Sequence, residues 1–468
     1  MQKTVIEDDE PKFVTGNLMK HVSVMSFTAS IGLMAIFAVD FVDLLFISML
    51  GNIALAAAVG YAGIILFFTN SINMGLSIAA GTLVAQSLGK KDKPAAREYA
   101  TAVMLLGFVS SIFVVIAVLM SLDNILGLIG AEGETLIQAK KYIHIILPTM
   151  PFMSIGFAAM AVLRAYGDAK RSMYCTLYGG LLNAVLAPIF IFALDFGLEG
   201  AAMASVAARF LMIYLAVSPL IKSHDGMAPV AISLITNHIK PIFSLLVPAI
   251  LANVATPIGS AIIMREMAKF GTDAVAGMAI IGRMSPVVFS VVFALSGAIG
   301  PIVGQNFGAG KMDRVRTAFI DGLKFTFIYV LIVSVILFFV RDYIVDIFGV
   351  TGEAAELVIL FCGFLSLTFF FNGVIFVANA CFNNLGYPIY STYVNWGRNT
   401  FGTLPFILVG ASYWGASGIL LGQALGGAIF AIIALWLSFK IMNAGGIKHK
   451  VDAFHIHSRI HNMHIRRR

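Results

Sequence analysis

Asp40 and Asp43 lie in the stretch AVDFVDLLFIS, residues 38–48, inside the first long apolar run of the chain. Residues three apart on a helix differ by about 60° in azimuth and sit one turn apart in height, so the two carboxylates share a face. A single ionised carboxylate at the centre of a membrane helix costs about 2.5–3.5 kcal/mol even on lenient insertion scales. Two this close in a low-dielectric site cannot both ionise cheaply, and the pair is expected to load and release protons as a unit. That is the behaviour of an ion-coupling site. The plainer alternative is that one aspartate is a structural residue satisfied by polar neighbours.

The elements that must position these acids are membrane helices. The chain has 468 residues, 59% hydrophobic and 12% charged, and apolar stretches of about 20 residues or more recur throughout. The ten-residue alternation of a transmembrane barrel is missing. The expected fold is all-α: a polytopic membrane protein of about twelve helices. Their spans are read as 22–50, 57–88, 100–129, 139–165, 173–195, 198–221, 241–269, 275–307, 316–347, 354–381, 388–412 and 415–442. The acidic start MQKTVIEDDEPKF is not that of a cleaved signal. With the N-terminus inside, inner segments carry Lys3, Lys12 and Lys20, then Lys90, Lys91, Lys93 and Arg97, then Arg164, Lys170 and Arg171. Lys222, Lys240, Lys311, Arg314, Arg316 and Lys324 continue the series, and Lys440, Lys448, Lys450, Arg459 and Arg466 to Arg468 close it. Outer segments hold only Lys140, Lys141, Lys269 and Arg341. Both termini are therefore expected in the cytoplasm and the protein in the inner (cytoplasmic) membrane. The net charge of +7 is a topology signal, and no nucleic-acid partner is expected.

The chain repeats itself. GTLVAQSLGKKDKPAAR (81–97) matches GPIVGQNFGAGKMDRVR (300–316), so that Gln86 and Gln305 stand 219 residues apart. LGNIALAA (50–57) matches FGTDAVAG (270–277), and RAYGDAKRSMY (164–174) is echoed by NNLGYPIYSTY (383–393). The period spans six helices, an even number, which makes the halves parallel repeats with a substrate cavity expected between them. The division is an N-terminal lobe over 1–220, a cytoplasmic linker over 221–240, a C-terminal lobe over 241–442 and a basic tail over 443–468.

These motifs resemble the multidrug and toxic compound extrusion family. The G-x-x-x-x-Q-x-x-G signatures after helices 2 and 8, LRAYGD after helix 4 and GLEGAA before helix 6 carry the resemblance from about residue 15 to 440. It implies two six-helix lobes, a central V-shaped cavity and export of drugs against protons or sodium. Asp43 stands at the family's acidic position in helix 1. The branch named for DNA-damage-inducible protein F fits best, because helix 10 carries only the boundary acid Glu356. In that branch helix 5 reads N-x-x-x-D-P; here NAVLAP keeps Asn183 and Pro188 but has Ala187 for the aspartate, while Ser205 supplies the hydroxyl of helix 6. The proline that many members carry before the helix-1 aspartate is also missing. The coupling residues are thus expected to be Asp40, Asp43, Asn183 and Ser205, with Asp40 replacing the absent helix-5 acid.

The expected function is proton-coupled antiport of cationic or amphipathic drugs by alternating access. Sodium coupling through the acid pair and Asn183 is one alternative, and a lipid-linked precursor flippase of the same superfamily is another. A membrane-embedded transferase would need acidic or histidine clusters on loops at one face, which the chain lacks. No catalytic or metal spacing and no cofactor is read. The expected partners are small-molecule drugs and membrane lipids, and the expected state a monomer. Cys175, Cys362 and Cys381 suggest no disulfides, and the tail histidines His455, His457, His461 and His464 suggest only a solvated segment. Asn70 and Asn73 face the cavity or glue helices together. Arg265 and Glu266 are candidate cavity residues, with snorkelling or mutual pairing as the alternative. Arg283 and Arg398 are expected near helix ends or facing the bundle interior. Phe152, Met153, Phe289 and Phe371 are candidates for an aromatic drug cavity.

Overall fold

A computed structural model describes residues 10–50 and 52–446. Gly51, Lys3 and the tail from residue 447, with its basic residues and histidines, lie outside the described residues. Among the described residues eleven helices are long and apolar enough to cross a membrane, and the last, Pro388–Asn443, holds two passes folded back at Trp414 and Gly415. Twelve passes result. In the N-terminal lobe they are α1 (Leu18–Ser48), α2 (Ile53–Gly89), α3 (Lys93–Met120), α4 (Gly133–Ala165), α5 (Ala169–Ala193) and α6 (Gly197–Lys222). In the C-terminal lobe they are α7 (Ile232–Met267), α8 (Thr272–Val288, then Ser290–Gly308), α9 (Met312–Phe348), α10 (Gly352–Gly363, then Phe369–Asn384), α11 (388–413) and α12 (416–443).

The departures from the expected spans have local causes. The span expected at 100–129 divides at Ser121 into α3 and a short helix, Leu122–Leu128. Pro188 has no N–H to offer the preceding turn, and α5 ends in a π-turn over Ile189–Ala193. The linker expected at 221–240 is shorter. Only 223–231 is non-helical, and α7 begins at Ile232 because the residues that follow pack against the N-terminal lobe, with His238 buried 3.0 Å from Glu98.

One face of the molecule carries the start of α1, the α2–α3 and α8–α9 turns and the linker; it is called basal, and the opposite face distal. The lobes join through their basal halves. There the last turns of α2 and α8 cross so closely that a Cβ on Gly89 would collide with the Gln305 carbonyl oxygen, and one on Gly308 with that of Gln86. Each glutamine then reaches into the opposite lobe: Gln86 Nε2 donates to the Asn384 carbonyl and Gln305 Nε2 to the Ala165 carbonyl, both at 2.8 Å. The signature glycine and glutamine thus form a two-fold symmetric crossing of backbones.

Each lobe also sends the segment ahead of its first helix across to the other. Phe13 is buried in the C-terminal core; its N–H donates to Gln305 Oε1 (2.8 Å), and its carbonyl accepts from Asn306 Nδ2 (3.0 Å) and Arg314 (3.1 Å). Residues 225–231 dock on the N-terminal lobe in the same manner. Arg97 donates to the Met227 carbonyl (3.0 Å) and pairs with Asp225 (2.9 Å), while Thr101 accepts from the Ala228 N–H (2.9 Å). The feet of α1 and α7 follow their arms: Leu18, Val22 and Met25 lie in the C-terminal core, and Ile242, Leu245 and Leu246 in the N-terminal one.

Towards the distal face the lobes part. The basal segment of α8, Ser290–Gly308, packs on α1 and α2, whereas its distal segment, Thr272–Val288, packs on the first segment of α10 and scarcely meets α1. Overpacking a tight site costs roughly 1–3 kcal/mol. Gly89→Val and Gly308→Val are therefore each expected to lower the thermal midpoint of the detergent-purified protein by several degrees. Gly427→Ala, whose added methyl meets no atom within 4 Å, is expected to leave it unchanged.

Candidate functional site

Asp40 and Asp43 leave α1 in its distal half, on one face. Eighteen residues below them, about five full turns, stand Val22 and Met25, which face the C-terminal core. The acids therefore look toward the C-terminal lobe at the level where that lobe has drawn away. The opposite side of α1 carries an exposed apolar stripe, Phe27, Ile31, Met34, Phe41 and Leu45, of the kind that meets lipid. Asp40 is exposed to the opening between the lobes, while Asp43 is half-buried against α5.

Asp43 is held by neighbours from three other helices. Asn183 Nδ2 lies between Asp43 Oδ2 (3.3 Å) and Ser205 Oγ (3.1 Å) and donates to both. Tyr142 of α4 stands beside Ser205, near both aspartates and Arg209. Arg209 stands one turn beyond Ser205 on α6 and donates to Thr149 Oγ1 (2.7 Å) and to the Ile146 carbonyl (3.2 Å). Asp43 Oδ1 and Asn183 Oδ1 are both buried without a protein hydrogen-bond partner. Two buried acceptor oxygens with no donor among the described residues form a place that a proton or a small hard cation would satisfy. Ala187 is fully buried one turn distal to Asn183, so the family's usual second carboxylate would project into the same pocket.

The structure brings Asp40, Asp43, Asn183 and Ser205 together and adds Tyr142 and Arg209. Tyr142 is one of 13 tyrosines and nothing in the sequence singles it out. Arg209 does carry a sequence signal, a charge inside the apolar run of α6. Asn73 is fully buried and donates to Asn70 Oδ1 (3.2 Å) within the N-terminal lobe. Below them Arg164 donates to Ser172 (3.0 Å) and Ser77 (3.3 Å). Arg265 and Glu266 are not mutually paired: Glu266 accepts from Lys269 at 2.5 Å near the distal end of α7, one helical turn along, and Arg265 is exposed.

The aromatic candidates divide. Phe289 is fully buried and stacked on Phe369 with ring centres 4.1 Å apart, and Met153 is buried in α4, so neither lines an open cavity here. Phe152 keeps exposed surface beside Phe108 and Phe210, and Phe371 is half-buried against Phe370. Arg398 lies inside the C-terminal lobe, where it donates to Asn372 (2.6 Å) and sits over the Phe376 ring.

Comparison with known proteins matches this arrangement to one family. The MatE family model matches residues 29–189 and again 248–409, two stretches that begin at the interval separating Gln86 from Gln305. A FAD transporter of Shewanella oneidensis is 25% identical over 430 residues, covering 89% of this chain and 93% of that one. The multidrug export protein MepA of Staphylococcus aureus is 23% identical over 385 residues, covering 79% and 83%. Among solved structures, a multidrug resistance MATE family transporter in an outward-facing conformation superposes with a TM-score of 0.86 at 20% identity, over 93% of this chain and 98% of that one.

If Asp40 substitutes for the carboxylate missing at Ala187, Asp40→Asn is expected to impair proton-driven efflux, and adding Ala187→Asp to restore part of it. Ala187→Asp alone is expected to reduce efflux, since a third carboxylate enters the pocket. Efflux across a pH series for the three variants checks this; loss without rescue would separate Asp40 from the helix-5 position.

Proposed function

The chain belongs to the MatE family of transporters, and on that premise we propose that it is a proton-coupled antiporter exporting amphipathic compounds by alternating access. It is a transporter of small molecules with a multi-pass membrane fold, not an enzyme. The observation that carries the coupling assignment is the network around Asp43. A carboxylate in the distal half of a membrane helix is held by Asn183 and Ser205 and keeps one oxygen buried and unpartnered. Beside it Asp40 opens onto the space between the lobes.

The basal face carries Lys90, Lys91, Lys93, Arg97, Lys170, Arg171, Lys311, Arg314 and Arg316, which supports a cytoplasmic assignment in the inner membrane. The structure then has its cytoplasmic side closed and its acids accessible from outside. Protons arriving there neutralise the pair and loosen a bound cationic group; reclosure and deprotonation inside reset the site for the next substrate. The work is done by single chains. Relatives bearing the names multidrug export protein and FAD transporter support small aromatic or amphipathic substrates.

Sodium is the second reading for the coupling ion, supported by the free oxygens of Asp43 and Asn183, which suit a hard cation. Flipping of a pyrophosphate-linked lipid is less well supported, since the acids of α1 repel such a headgroup.

Purified protein in liposomes is expected to release protons on adding ethidium and to pump ethidium when a pH gradient is imposed, with or without sodium. Coupling that appears only with sodium would assign the ion differently. Asp43→Asn is expected to abolish coupled efflux at unchanged expression, because an amide cannot cycle a proton; full efflux in that variant would remove Asp43 from the mechanism.

A further inference from the structure

The distal halves of α2 and α8 present matched exposed stripes. On α2 they are Ala57, Gly60, Gly63, Ile64 and Phe68; on α8, Ala276, Ala279, Gly282, Arg283 and Val287. Every member of the second set stands at the repeat interval from its counterpart in the first. A Cβ on Gly60, Gly63 or Gly282 would meet no atom within 4 Å, so these positions border open space. A lipid-facing stripe looks different in the same protein: α9 exposes Phe327, Ile328, Leu331, Ile332, Val335 and Phe339. Just below the bend at Phe289 α8 adjoins the other lobe, since a Cβ on Gly297 would lie 3.7 Å from Arg164 of the N-terminal lobe; above the bend the α8 stripe borders open space where the lobes have parted. The two stripes are therefore the walls of the inter-lobe opening that Asp40 also faces.

The walls differ in charge at one position. Where α2 has Ile64, α8 has Arg283, exposed and with no ion-pair or hydrogen-bond partner among the described residues. Arg283 lies eleven residues, about 16 Å, from the distal start of α8, and Asp40 eight residues, about 12 Å, from the distal end of α1. Each charge thus stands at comparable depth on its own lobe. Walls built largely of glycine and alanine leave a smooth slot suited to a planar ring system, with Ile64, Phe68 and Val287 as apolar contacts. A fixed guanidinium on such a wall selects a carboxylate or phosphate with directed hydrogen bonds, at any protonation state of the acids.

We propose that Arg283 is a specificity-determining residue of the transport cleft, which anchors the anionic substituent of a planar aromatic substrate while the flat walls hold its ring. The proposal rests on the export reading above and gives it a substrate class broader than cations. Flavin mononucleotide and riboflavin share a ring and differ in a phosphate, so they isolate the charge. The full-length protein is expected to bind flavin mononucleotide at least tenfold more tightly than riboflavin in fluorescence titration, and to transport it faster in liposomes. Arg283→Gln is expected to abolish that preference, so that flavin mononucleotide and riboflavin bind alike. Arg283→Lys is expected to keep part of it, and Ile64→Arg in the Arg283→Gln background to restore part of it from the opposite wall. Equal binding of the two flavins by the unaltered protein, or an unchanged preference in Arg283→Gln, would overturn the proposal. Because binding is read separately from transport, charge-selective binding without coupled efflux would leave this assignment standing and overturn the export reading.

Discussion

Two helix backbones that touch at Gly89 and Gly308 hold this molecule in the state observed. No side chain separates α2 from α8 at the crossing, and each glutamine donates to a carbonyl of the opposite lobe. In a membrane, where lipid is as apolar as leucine, helix association draws on close packing and interhelical hydrogen bonds, and this crossing supplies both. The swapped arms reinforce it. Gln305 spends its amide nitrogen on Ala165 and its oxygen on Phe13, so the arm and the crossing share one side chain. Parting the lobes on the basal side requires those bonds to be exchanged together, which makes the closed basal face a discrete state.

Closure at one end fixes what happens at the other. α8 bends at Phe289, its basal segment follows the opposite lobe and its distal segment follows its own. The opening this leaves is where α1 turns its acidic face. One face of α1 therefore serves two purposes along its length: Val22 and Met25 seal the junction, and five turns later Asp40 and Asp43 meet a space that water can enter. The cost of a carboxylate in the membrane is reduced by that geometry, since Asp40 keeps exposed surface and Asp43 has Asn183 for a partner.

The N-terminal lobe concentrates polar groups near the acids, and the C-terminal lobe does not mirror them. Asn183 bridges Asp43 and Ser205, and Tyr142 and Arg209 stand beside them on α4 and α6. The C-terminal lobe instead holds an aromatic cluster that includes Phe289, Phe369 and Phe376, with Arg398 braced by Asn372. Two repeats of one architecture have thus come to hold different interiors, a polar network around Asp43 in one and a largely aromatic cluster in the other. The inter-lobe walls diverge in charge at one position, Ile64 against Arg283.

Much of this was legible in the sequence. The apolar runs determined a helical membrane protein, because only a helix or closed barrel satisfies its backbone in lipid. The interval between Gln86 and Gln305 determined the repeat, and the i,i+3 spacing of Asp40 and Asp43 placed both acids on one face. Asn183 and Ser205 were found through family pattern, and periodicity alone would have missed them. Other features were decided only by tertiary structure. Phe289 and Met153 are apolar residues whose burial depends on which neighbours arrive, and a stacked Phe369 covers the first. Tyr142 joins the site because α4 passes beside α6, a contact between residues far apart in the chain. The linker is short because residues from Ile232 onward find an N-terminal core to pack against. A sequence records which residues suit water or lipid and at what period; it does not record which helix stands across from which, and a charge becomes a site only when that is decided.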